Sequence, residues 1–149
     1  MKQNLSPYEK FYLTTFNSIS RTNKSIPEWS TTFFISLLFF MNLVSILVFL
    51  NFDFKNNGNG KLQFGLIIII LLHWFYFLKN NRAIKKFKKV KYEIKSIEKV
   101  MTGMYCLGSL ALFFFALDMG IKYYLIVSGI WILLLLSINE FGGKPIDYK

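Results

Sequence analysis

The run "WSTTFFISLLFFMNLVSILVFLNF", Trp29 to Phe52, decides the fold. It contains no charged residue and no proline, and it exceeds the roughly 20 helical residues that the hydrocarbon core of a bilayer requires. Three further runs follow: "LQFGLIIIILLHWFYFL" from Leu62, "MTGMYCLGSLALFFFAL" from Met101 and "IKYYLIVSGIWILLLLS" from Ile121. They lie near the short limit, and their flanks are expected to extend them. In lipid every backbone polar group must be paired within the protein, so such runs predict helices. Composition agrees. Only 17% of the residues are charged, against about a quarter in soluble domains. The charges collect between the apolar runs, the pattern of a membrane protein.

The fold expected is all-α, an integral membrane four-helix bundle with both termini on one side. Residues 1–28 form a charged amphipathic segment. The spans are 29–52, 62–78, 101–117 and 121–138. Residues 53–61 and 118–120 connect them outside, 79–100 form a basic hairpin, and 139–149 are a tail. No small-residue cleavage site follows the first run, so it is expected to stay in the chain. Abundant Lys, Asn, Ile and Phe suggest AT-rich coding and a bacterial inner membrane.

Orientation follows from the basic residues. The stretch "KNNRAIKKFKKVKYEIKSIEK", Lys79 to Lys99, carries nine of the 18 Lys and Arg. Together with the N-terminal segment and the tail it holds fifteen of them, and the other side holds three. The positive-inside rule then places both termini and the hairpin in the cytoplasm. That signal alone explains the charge. Arg82, Lys85, Lys86, Lys88 and Lys89 are also candidates for contact with anionic lipid headgroups, worth about 1 kcal/mol per basic group, or with a protein partner. Nucleic acid is not expected, because no stacking aromatics or RNP-like motif accompany the charge. Ile84, Phe87, Val90, Ile94, Ile97 and Met101 recur at helical spacing. The second and third spans therefore run on as a helical hairpin, broken near Asn80–Asn81 or near Lys91.

At the N-terminus, "LSPYEKFYLTTFNSIS" offers Ser6 as N-cap, Pro7 at the first helical position and Glu9 to close a capping box. Tyr8, Phe11, Tyr12, Thr15, Phe16 and Ile19 share one face. This amphipathic helix either lies in the cytoplasmic interface or packs against the hairpin. "SIPEW", Ser25 to Trp29, repeats the capping pattern. "NEFGGKPIDYK", Asn139 to Lys149, reads as a helix stop, with Gly142 and Gly143 at the cap and Pro145 beyond.

An enzyme in the membrane needs ionisable groups at depth. Asp53, Asp118 and Glu140 all sit at span ends, so no proton-coupled carrier, catalytic set, cofactor or metal site is expected. The Gly-rich "NNGNGKLQFG", Asn56 to Gly65, lacks the Lys-Ser/Thr of a phosphate loop. His73 lies about 9 Å, and Cys106 about 6 Å, inside the cytoplasmic boundary. The pair could meet across neighbouring helices as base and nucleophile. Asn42 sits mid-span with Ser45 one turn on. Thr102, Cys106 and Ser109, beside Gly103 and Gly108, and Ser128–Gly129 offer small-residue faces. Such faces serve packing within one copy or between copies.

The layout resembles the many small four-pass bacterial membrane proteins with an aromatic amphipathic N-terminus and a basic middle hairpin. It lacks the first-span acid of small multidrug carriers and the paired aspartates of lipoprotein signal peptidases. The function expected is non-enzymatic: a homo-oligomer acting as a pore-forming or membrane-perturbing effector, as in antiviral defence or toxin action. The alternative is an immunity or accessory subunit of a larger membrane complex. A membrane enzyme using His73 and Cys106 is the third.

Overall fold

The computed structural model of the chain describes residues 5–52, 59–90, 93–118 and 121–141. All regular elements among them are helical. The first is α1, Pro7–Ile19. Ser6 and Glu9 form the capping box: Ser6 Oγ accepts from Glu9 N–H at 3.2 Å, and the Glu9 carboxylate accepts from Ser6 N–H at 2.9 Å. Helix α2 spans Pro27–Phe49. Its start departs from the expected pattern, since Ile26 occupies the N-cap and provides no side-chain hydrogen bond. Asn23 does the bracing instead. Its Oδ1 accepts from Ile26 N–H and its Nδ2 donates to Ser30 Oγ at 2.7 Å.

Helix α3, Asn59–His73, runs directly into a π-helical turn, Trp74–Leu78, and a 3₁₀ turn, Lys79–Asn81. Asn80 has φ 58°, a left-handed conformation that asparagine tolerates better than most residues. The short helix α4, Arg82–Val90, then folds back against the π turn. The chain is non-helical over residues 93–95, and α5 runs from Ser96 to Ala116. Both suggested hairpin breaks are therefore present: one at Asn80, the other between Val90 and Ser96, with Lys91 itself outside the described residues. The last helix, α6, is Ile121–Phe141. The expected C-terminal stop and the segment from Asp53 to Gly58 also lie outside them.

Three helical stretches, Pro27–Phe49, Gly60–Leu78 and Ser96–Ala116, are long and apolar enough to cross a membrane, and Ile121–Leu133 adds a fourth apolar stretch. Polar flanks lengthen the apolar runs, as anticipated. Helix α2 is the hub, packing on α1, α3 and α5, while α6 packs on α5. The faces of α2 are sorted in the sense opposite to a soluble helix. Thr31, Thr32, Ser36 and Ser45 are buried, while Phe33, Phe39, Leu43, Ile46 and Phe49 are exposed. Small residues at helix contacts and large apolar ones outside are what a hydrocarbon solvent selects. The buried hydroxyls bond back along their own helix, Thr31 to Pro27 C=O, Ser36 to Thr32 C=O and Ser45 to Met41 C=O. None is left unsatisfied by burial.

The tightest packing is at the α1 end. Leu5, Tyr12, Leu13 and Phe16 of the N-terminal segment cluster with Ile35, Phe77, Ala83 and Phe87. The apolar face of α1 is thus covered by α2, the π turn and α4, which is the packing alternative for this helix.

Candidate functional site

The side chains with chemistry gather where α1 crosses the ends of α2, α3 and α5. The first group surrounds Tyr12. Its ring is fully buried and stacks on Phe77, with centroids 3.9 Å apart and planes 17° apart. Its hydroxyl reaches Glu28 C=O and Thr32 Oγ1, both at 3.4 Å. Burial pushes this phenol up to about 12, so it stays neutral at any physiological pH. Beside it, Glu9 adds a second role to its capping one by pairing with Lys86 of α4. Burial alone would raise the Glu9 carboxyl. The Lys86 ammonium and Ser6 outweigh that and hold it below the usual carboxylate range. Lys10 pairs with Glu98 of α5 at 3.5 Å. One short helix is therefore ion-paired to two separate elements. Sequence reasoning found Glu9 only as a cap. Its second role had one signal, an acid in a basic segment on the rim of an apolar face.

The second group is His73 and Ser36. His73 is buried, and its Nδ1 lies 2.8 Å from Ile69 C=O and 3.2 Å from Ser36 Oγ. A ring nitrogen so close to a carbonyl carries the proton and donates it there. It is thus not placed to take a proton from Ser36, whose hydroxyl donates to Thr32 C=O at 2.8 Å. The arrangement braces α2 against α3 and is not a nucleophile with its base. Cys106 forms no pair with His73. It is buried on α5, and α2 separates α5 from α3. The juxtaposition expected for these two residues is corrected by that intervening helix.

The third group is mid-span. Asn42 Nδ2 donates to Tyr105 Oη at 2.9 Å and to Ser109 Oγ at 3.1 Å. The amide thus finds its partners within one copy, one of them a residue already singled out. Tyr105 was missed, although it stands one turn before Ser109. Cys106 and Ser109 are buried in the same contact and Thr102 is half-buried. Ser45 is buried on α2, bonded to its own helix.

The last two helices differ. A Cβ added at Gly103, Gly108 or Gly129 would meet nothing within 4 Å. Ser128 Oγ and Trp131 Nε1 are buried without a hydrogen-bond partner among the described residues. Trp131 stacks on Phe34 of α2, with centroids 5.4 Å apart.

On the basic segment, Arg82 and Lys85 are exposed, while Lys86 turns toward Glu9. Lys79 Nζ lies 4.1 Å from the centroid of Phe75. The side chains of Lys88 and Lys89 are outside the described residues. No group of three His, Cys, Asp or Glu placed to hold a metal occurs among the described residues. Comparison with protein-family models, with curated proteins and with solved structures finds no match for this chain.

Proposed function

We propose that the chain is a non-enzymatic integral membrane protein of the bacterial inner membrane, with both termini cytoplasmic, that acts through self-association as a membrane-perturbing effector. One observation carries this reading: the packing faces of α5 and α6 are incomplete in a single copy. Gly103, Gly108 and Gly129 border open space, whereas small residues in membrane helices are where backbones approach closely. Ser128 and Trp131 carry unpartnered polar atoms on the same helix as Gly129, and in lipid such atoms favour a protein neighbour. Asn42 is excluded from this seam by its bonds to Tyr105 and Ser109. A membrane enzyme is disfavoured, since His73 is committed to Ile69 and Cys106 stands apart from it.

The test is the mass of the purified protein in nanodiscs, with Gly108→Leu and Gly129→Leu as variants. A defined oligomer that the variants reduce to monomer, together with depolarisation of overproducing cells that the variants abolish, is the expected result. A monomeric parent protein would sink the proposal. An accessory subunit is the second reading, favoured by the exposed Arg82 and Lys85 on a helix held rigidly by Glu9 and Phe87. It predicts a monomer that is inert alone and is retained by a larger complex unless both residues are changed to Glu.

A further inference from the structure

Between α1, α2 and the start of α5 runs a groove of about 580 Å³, well within the range of ligand sites. Its walls are Phe11, Phe39, Ile97, Met101, Thr102 and Tyr105, and Lys10, Lys95 and Glu98 stand at its rim. We propose that it is a binding site for one anionic phospholipid, an acyl chain lying along the apolar walls and the headgroup phosphate at Lys95 and Lys10.

Three observations carry this. First, the rim has an excess of positive charge. The Glu98 carboxylate is engaged by Lys10 at 3.5 Å and by the Lys95 backbone N–H at 3.0 Å. The Lys95 ammonium has no carboxylate partner among the described residues, so two cations face one acid. Second, the groove opens sideways. Ile97, Val100, Met101 and Met104 are between 55% and 68% exposed. On a spanning helix these residues face hydrocarbon, so a chain can enter from the bilayer without crossing water. Third, the walls are fixed in advance. Asn42 holds the Tyr105 hydroxyl, and the Phe11 ring meets Tyr105 edge-on at 5.1 Å. A site already ordered costs less to occupy. A soluble anion would gain nothing from the apolar length, and a neutral lipid nothing from the rim.

The inference rests on the membrane placement proposed above but not on self-association, so a monomer leaves it standing. It is tested by native mass spectrometry of the full chain in detergent, with phosphatidylglycerol and phosphatidylcholine of the same acyl chains added in equal amounts. One phosphatidylglycerol retained per copy is expected, preferred by about fivefold, the weight of a single lysine at a lipid surface. Thr102→Trp fills the groove and should abolish retention of either lipid. Lys95→Gln, an exposed change that leaves the packing alone, should bring the two lipids to parity. Circular dichroism and the unfolding midpoint identify a misfolded variant, in which case Lys95→Gln carries the test. Equal retention of both lipids by the parent protein overturns the proposal. So does retention that neither substitution alters, preferred capture of added oleate, or a dimer that forms as lipid is lost.

Discussion

The two ends of the chain are built by opposite rules. Around α1, side chains are buried, stacked and ion-paired: Tyr12 lies on Phe77, Glu9 meets Lys86, and Lys10 meets Glu98. Along α6, apolar residues such as Leu125, Ile126 and Ile130 are exposed and glycine borders open space. The first region is completed within one copy, and the second relies on what surrounds it. A small chain placed in lipid thus puts its internal cohesion into one interfacial layer, because apolar burial gives no drive between helices that lipid already solvates.

The contrast is easiest to break at Tyr12. Tyr12→Ala removes a fully buried ring and its stacking partner, and the expected loss is about 3–5 kcal/mol. Leu125→Ala, on the exposed face of α6, should stay within about 0.5 kcal/mol. Reversible unfolding in mixed SDS–detergent micelles measures both, and equal losses would erase the distinction. Asn42→Leu comes next. It removes two hydrogen bonds between α2 and α5, and a loss of about 1–2 kcal/mol is expected in the same assay. A neutral result would mean that Tyr105 and Ser109 find other partners.

The smallest effect is at Glu9, whose partner Lys86 is partly exposed, which limits the pair to about 1 kcal/mol. Its direction is nonetheless diagnostic. The fold favours the ionised carboxylate, so the unfolded chain binds more protons and stability rises with pH across this range. The contribution is complete above the ordinary value of 4.5 and is lost as pH falls through the lower folded value. Glu9→Gln should flatten that part of the profile, and an unchanged slope would assign it to another carboxylate.

Much of the helical architecture could be read from the sequence, because a long charge-free run and a Ser-Pro-x-Glu cap are local signals. The partner of Asn42 was partly legible, since an amide at depth seeks a hydroxyl and Ser109 lay on a small-residue face. What escaped is non-local. Nothing near Ser36 announces that His73 lies opposite it, and nothing near Lys10 announces Glu98. Those meetings depend on α2 standing between α3 and α5, an arrangement that three apolar segments of similar character leave open. The His73–Cys106 pairing failed for the same reason: equal depth says nothing about which helices are neighbours.

The π turn at Trp74–Leu78 has a consequence for tolerance to insertion and deletion. Such a turn takes in one residue more than an α-helical turn, so it acts as a phase correction between α3 and everything after it. Deleting a single residue there would restore a plain α-helix and advance the following chain by roughly 100° about the axis. Phe77 would leave the cluster around Tyr12, and the basic side of α4 would swing toward apolar neighbours. Length at this one point is therefore a tighter constraint than residue identity, and variants of this chain should accept substitutions at Phe75 or Tyr76 far more readily than the loss of either position.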